Sequence, residues 1–125
     1  MHRYLRAATI LFGVVFTILG VRWLIYPLES AAQLGMPLLD GTARSTQIGD
    51  LSMFFLVAGV TMLLGLRAGH ARLLYVPAAL VGGAAIARTL AWAFHGAAFA
   101  TLFILVEVVV GAVLVATARA LDEGW

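Results

Sequence analysis

The chain has no cysteine and no lysine, and only 11% of its 125 residues are charged. Without cysteine it has no disulfide framework, and it lacks a thiolate that could ligate a metal or act as a nucleophile. Soluble domains average about one quarter charged residues, so this chain has too few charges to cover a surface that faces water. All eight basic residues are arginines, scattered without a basic run. We therefore expect no nucleic-acid partner.

The hydrophobic residues, 63% of the chain, fall in four long blocks. Each block has about 19 to 22 residues, which is enough for a helix to cross a hydrocarbon core of about 30 Å. The blocks are residues 5–26, 48–66, 73–94 and 97–118. The first is expected to be a span and not a cleaved signal, because its apolar run continues to Tyr26. The sequence predicts an all-α integral membrane four-helix bundle, a single domain over residues 1–125 within the lipid bilayer.

The connection between the first two blocks is the long one, and it is expected to have structure of its own. Residues 28–34 predict a short interfacial helix. Asp40-Gly41 predicts a turn, and Thr42 or Ser45 is expected to cap the second span. The other two connections are short, so the spans that they join are expected to be antiparallel neighbours.

Arginines in the flanks of the spans predict the orientation. Five of them fall on one side of the membrane, namely Arg3, Arg6, Arg67, Arg72 and Arg119. The positive-inside rule makes that side cytoplasmic, together with the N- and C-termini, in a multi-pass protein of the cell inner membrane. Trp23, Tyr26 and Trp92 are expected to form an aromatic belt on the opposite side.

Small residues recur at every fourth position of the third span, at Ala79, Gly83, Ala87 and Ala91. Such a stripe lets another helix approach closely. We favour packing against another helix of the same bundle over a specific dimer interface.

Ionisable residues within or at the edge of the spans are candidates for a functional site, because charges are rare there. They are Arg22, Asp50, Arg88, His95 and Glu107. Glu107 lies about ten residues, or roughly 15 Å, into the fourth block, which places it near the midplane, either protonated or paired. Arg88 is about 9 Å from the end of the third block, and side chains lean toward the N-terminus of their helix. The two side chains should therefore converge into an ion pair.

A polar pocket that faces outward is expected around this pair. Arg88, Trp92 and His95 share one helix face at offsets of four and seven, and Arg22 and Asp50 would complete the lining. Simpler interpretations stand beside this one. Arg22 snorkels to the surface, Asp50 stabilises a helix start, His95 belongs to a turn with Gly96, and Arg88 with Glu107 is only a structural clamp between helices.

Motifs of known chemistry are lacking. The sequence has no spacing typical of metal ligands, no Ser/His/Asp set and no glycine-rich phosphate loop. His2, His70 and His95 lie at span ends on opposite sides, so two of them cannot bracket one haem. We expect no catalytic residues, no metal and no cofactor.

The segment from Ala87 to Trp92, then His95-Gly96-Ala97, and Glu107 on the last span resemble a family of small bacterial four-helix membrane proteins, a domain of unknown function in the wider DoxX-like group. Residues 49–55 and Gly59 resemble the second helix of that family. The resemblance covers nearly the whole chain and implies the four-helix architecture and the importance of Arg88 and Glu107. It implies no activity. Around the arginine this chain has Ala87 and Ala91 where the family usually has glycine and serine, so no role of a hydroxyl there is implied.

Three classes of function stay open. We favour a non-enzymatic protein, either an accessory subunit of a larger membrane complex or a binder of a small apolar or lipid-like ligand. A homodimer is another expected assembly. The alternative is a proton- or cation-coupled transporter of small molecules that uses Glu107, although no paired broken helices accompany it. An intramembrane acid-base isomerase that uses Glu107 and His95 is the least favoured.

Overall fold

The structure, a computed structural model, describes residues 2–123, and every regular element among them is helical. The elements are α1 (His2–Ile25), α2 (Pro27–Gln33), α3 (Gly41–Leu64), a 3-10 turn (Ala71–Leu74), α4 (Tyr75–His95) and α5 (Thr101–Asp122). Four helices are long and apolar enough to cross a membrane: α1, α3, α4 with its 3-10 turn, and α5. This confirms the predicted all-α architecture with four candidate membrane spans. Large apolar side chains such as Ile18, Ile86 and Leu105 are exposed, as on helices that face lipid.

The long helices form two pairs. Helix α1 packs along most of α3, and α4 packs along α5. The first pair approaches closely because its interface carries glycine: a Cβ added to Gly20 would come within 2.7 Å of the backbone nitrogen of Leu56. Only glycine fits at this position of the interface.

The two pairs join at the end of the bundle that carries residues 2 and 123, which we call the termini end. There the hydroxyls of Thr9 and Thr117 lie 3.0 Å apart and link α1 to α5, both fully buried. The apolar core lies in the same half of the bundle and includes Met62, Leu74 and Leu114. No residue from 86 to 109 is buried. Helices α4 and α5 are therefore held to the first pair at one end only.

The opposite end, which we call the α2 end, is covered by α2 and the segment after it. Helix α2 confirms the predicted short helix, and Gly35, with a left-handed φ of 76°, ends it. The predicted turn at Asp40-Gly41 is not present, because Asp40 is extended and Gly41, with a φ of 58°, is the first residue of α3. The buried side chain of Gln47 holds this segment, because it accepts a hydrogen bond from Leu39 N at 2.9 Å and donates one to Pro37 O at 3.0 Å.

Helix α3 begins at Gly41, seven residues before the expected start at 48. Its first two turns are polar, so the apolar block marks only the part of the helix beyond them. The expected cap at Thr42 or Ser45 is wrong, since both residues lie inside the helix. Asp40 precedes it without a side-chain cap hydrogen bond.

Two expectations about packing are wrong. Ala79, Gly83 and Ala87 are exposed and only Ala91 of the stripe is half-buried; a Cβ added to Gly83 would meet no atom within 4 Å, so the stripe does not form a helix interface within the bundle. The buried face of α4 carries Ala78, Val81 and Ala85 instead. Trp23 is 2% exposed and belongs to the interior, so it is not part of an aromatic belt.

Candidate functional site

The predicted pair of Arg88 and Glu107 is formed in the structure. Arg88 Nε donates a hydrogen bond to Glu107 Oε1 at 3.0 Å, and this contact joins α4 to α5. The Glu107 side chain is 12% exposed and that of Arg88 34%. A lone carboxylate on an apolar helix would be costly to bury, and the arginine compensates its charge.

The pair lies nearer to the α2 end than the sequence suggests. Gly96 takes a left-handed conformation and ends α4, and residues 97–100 are irregular before α5 begins at Thr101. Glu107 is therefore six residues, or about 9 Å, from the start of its helix and not roughly 15 Å. Arg88 lies seven residues, or about 10 Å, before the end of α4, so the two groups meet at equal depth. The expected distance of roughly 15 Å was too long because four residues of the fourth block, 97–100, do not belong to the helix.

A cavity of about 460 Å³ lies beside the pair, among all four long helices. Phe16 of α1 and Phe54 and Phe55 of α3 line one wall, and Phe103 and Val106 of α5 line the other. Leu34, just after α2, lines the cavity at the α2 end. Arg88 and Glu107 are the polar residues among the described lining. The cavity is an apolar chamber with one ion pair in its wall.

The guanidinium of Arg88 keeps donors that no described residue uses. Its single hydrogen bond within the described chain runs from Nε, so both amino groups are left without an intramolecular acceptor. The Cζ atom lies 4.9 Å from the centre of the Phe103 ring, in cation-π geometry. Glu107 and Phe103 together fix the guanidinium at the cavity wall, with its remaining donors available to a third group.

Arg22 and Asp50 do not join the pair. Arg22 Nη1 donates a hydrogen bond to Gln33 Oε1 at 3.1 Å, which ties α1 to α2 at the α2 end. Asp50 is exposed, and its side chain makes no hydrogen bond or ion pair with a described residue. Neither residue lines the cavity. The expected pocket with two arginines and two carboxylates is therefore wrong.

Trp92 and His95 also lie outside the cavity. Trp92 is 52% exposed, and its ring contacts that of Phe99 edge to face at 5.2 Å. His95 is the last residue of α4 and is exposed, directly before the left-handed Gly96. His95 and Gly96 therefore form the end of α4, with Gly96 as its C-cap. Among residues 2–123, no three His, Asp or Glu side chains cluster as metal ligands would.

Sequence reasoning missed the aromatic wall. Phe54 and Phe55 are adjacent, and their rings meet edge to face at 5.1 Å, while Phe55 also contacts Phe16 at 5.5 Å. The signal was the local concentration of phenylalanines halfway along two spans, which hydropathy treats like any other apolar residues. Comparisons with family models, curated proteins and solved structures found no match for this chain. The resemblance to the DoxX-like group rests on the sequence motifs and stays a prediction.

Proposed function

We propose that this protein binds an amphiphilic, lipid-like molecule in the aromatic cavity and that Arg88 holds the head group of that molecule. The observation that carries the proposal is the pair of free amino groups of Arg88 at the wall of a cavity otherwise lined by apolar side chains. Sites for small molecules commonly have volumes of about 300–1,000 Å³, an apolar lining and a few polar groups that fix orientation. The cavity has all three properties.

The charge balance of the pair indicates the class of head group. Arg88 and Glu107 already neutralise each other, and an anionic head group would leave an uncompensated negative charge in an apolar environment. An uncharged head group with acceptor oxygens, such as an ester, amide or other carbonyl, receives hydrogen bonds from the guanidinium without that penalty. We infer a neutral amphiphile that bears carbonyl oxygens.

The cavity has an opening through which such a molecule could enter. Leu102 lines the cavity and is 69% exposed, so the wall at the start of α5 is open to the surroundings of the bundle. Surroundings of this kind are lipid for a helix that spans a membrane. The ligand is therefore expected to come from the bilayer and not from water.

The test compares two substitutions on the same helix. Ala84 lines the cavity, whereas Ala87 is exposed on the outer face of α4. Ala84→Leu fills part of the cavity, and Ala87→Leu adds the same atoms outside it. Native mass spectrometry of protein extracted gently from its membrane should show a bound small molecule on the wild type and on Ala87→Leu, but not on Ala84→Leu. Equal retention by both variants would contradict the proposal.

Defined probes test the head group. Monoolein has a neutral ester head group, oleate has the same chain with a carboxylate, and octadecene has no head group. The delipidated wild type should be stabilised most by monoolein, and the double variant Arg88→Met/Glu107→Leu should lose this preference while it stays folded. Stabilisation by octadecene equal to that by monoolein would show that Arg88 does not bind the head group.

We also propose that the protein lies in a bacterial inner membrane with its termini end in the cytoplasm. Arg3, Arg6, Arg67, Arg72 and Arg119 all lie at this end, which supports the orientation by the positive-inside rule. A C-terminal green fluorescent protein should then be fluorescent, and a C-terminal alkaline phosphatase inactive. The opposite pattern of reporter activities would invert the orientation.

Accessory-subunit and transporter functions give different outcomes in these measurements. Recovery of the chain only within a larger assembly, with no small molecule bound, would favour the accessory subunit. Uptake by proteoliposomes that is lost in Glu107→Gln would favour the transporter. The transporter has less support because the described residues that line the cavity beside Glu107 are apolar apart from Arg88.

A further inference from the structure

A second cavity, of about 490 Å³, lies at the termini end. Three arginines from different parts of the chain line it: Arg6 of α1, Arg67 of the loop after α3, and Arg72 of the 3-10 turn. Asp122, at the end of α5, is the acidic residue among the described lining. The charged groups around this space sum to +2 before any ligand binds, because three arginines face one aspartate.

These arginines differ from those of the α2 end in having few partners. At the α2 end, the guanidiniums of Arg22, Arg44 and Arg88 are each bonded to a side chain of a described residue. At the termini end, Arg6 donates to the backbone oxygen of Leu66 at 3.2 Å. The side chains of Arg67 and Arg72 make no hydrogen bond or ion pair with any residue from 2 to 123, and the Asp122 side chain pairs with none of the three arginines. Nearly all of the donors around the cavity are therefore free.

We propose that this cavity binds a phosphate-bearing anion. A guanidinium presents a planar fork of N–H donors that matches two oxygens of a phosphate, and several such forks around one space suit a group with three or four oxygens. The cavity lies where α1 begins and α5 ends, at the expected boundary between membrane and water. Basic pockets between spans at this level bind the head groups of anionic lipids. A phospholipid head group and free phosphate share this chemistry, and the experiment separates them.

Arg67 and Arg72 are the residues to substitute, because neither side chain bonds to a described residue and the loss of these side chains should leave the fold intact. The test variants are Arg67→Gln, Arg72→Gln and the double variant. The control is Arg3→Gln/Arg119→Gln, which removes two charges from the same end but none from the lining of this cavity. Circular dichroism should show equal helix content in all variants.

Delipidated protein is titrated with phosphatidylglycerol, with phosphatidylcholine and, separately, with inorganic phosphate, and bound molecules are counted by native mass spectrometry. Each arginine near a membrane surface contributes enough that one substitution should weaken phosphatidylglycerol binding about fivefold, and the double variant about thirtyfold. The control should bind as the wild type does.

Tight, saturable binding of phosphatidylglycerol that the double variant loses supports a lipid site. Binding of phosphate that competes with the lipid and is lost in the same variant supports a site for free phosphate. The absence of saturable binding of phosphatidylglycerol and of inorganic phosphate, or an equal loss of binding in the control, would overturn the proposal.

Discussion

Arg88 on α4 donates from Nε to Oε1 of Glu107 on α5 at 3.0 Å, and the two residues are 19 positions apart in the chain. Among residues 2–123 this is the ion pair that joins two spans. The other pair, Arg44 with Asp40, is exposed at the start of α3. One partner without the other leaves a charge in apolar surroundings, so the pair is coupled in its effect on stability.

Glu107→Leu or Arg88→Met alone should lower the free energy of unfolding by about 1.5–3 kcal/mol, because each leaves the other charge unpaired. The double variant Arg88→Met/Glu107→Leu should recover much of that loss. Thermal unfolding in detergent measures both effects, and Asp40→Asn at the exposed pair should change little. Additive losses in the double variant would show that the two residues do not act as a pair.

Gly20→Ala should destabilise the pair of α1 and α3. The added Cβ would lie 2.7 Å from Leu56 N and 2.9 Å from Ser52 O, so backbone must move. Overpacking of this kind costs about 1–3 kcal/mol, measured as a lower midpoint of unfolding in detergent. Gly83→Ala is the matched control on α4, where the added Cβ has open space. An equal change in the two variants would mean that the helix propensity of alanine, and not contact, determines the result.

The hydroxyl pair of Thr9 and Thr117 should carry a measurable coupling. Removal of either hydroxyl by valine takes away the bond between α1 and α5. The coupling energy from a double-mutant cycle is expected to be about 0.6 kcal/mol, the average for hydrogen bonds between membrane helices. Thr117 keeps a hydrogen bond to Val113 O within its own helix in Thr9→Val, which limits the effect of that variant. A coupling of zero would show that the contact between the two hydroxyls does not contribute to stability.

Gln47→Leu should release the segment after α2. Its side chain makes two bonds to the backbone of that segment, at Leu39 and Pro37. Hydrogen exchange measured by mass spectrometry should become faster at Leu39, while exchange in the middle of α3 stays unchanged. Ser45→Ala is the control, because Ser45 is exposed and makes no side-chain hydrogen bond to a described residue. Slow exchange at Leu39 in Gln47→Leu would mean that α2 itself holds the segment.

Hydropathy was sufficient for the number of spans and the short helix α2, but it misplaced the helix ends wherever polarity and helicity disagree. The polar residues 41–47 form two turns of α3, and the apolar residues 97–100 form none of α5. The second error made the distance between Glu107 and the start of its helix too long. Its cause is the left-handed Gly96, which ends α4 but does not fix where the next helix starts.

Pairing of Arg88 with Glu107 was predictable because both side chains lean toward each other on adjacent antiparallel helices. The aromatic cavity was not, since it depends on how far the two helix pairs separate. Periodicity also favoured the wrong small-residue stripe. Gly13, Thr17 and Gly20 on α1 also place small residues on one helix face, at intervals of four and three residues, and they meet α3, whereas Gly83 of the α4 stripe meets no other helix. A single sequence gives no means to decide which of two such stripes has a partner.

Because α4 and α5 are attached to the first helix pair near the termini end, their other ends can move away from that pair by a tilt. Helix α4 extends 14 residues, or about 21 Å, from the buried residue Val81 to its end at His95. A small tilt of α4 near Val81 therefore produces a larger displacement at His95, and the width of the cavity beside Arg88 changes with it. Substitutions at Leu114, a core residue that does not line this cavity, are therefore expected to change the size of the cavity.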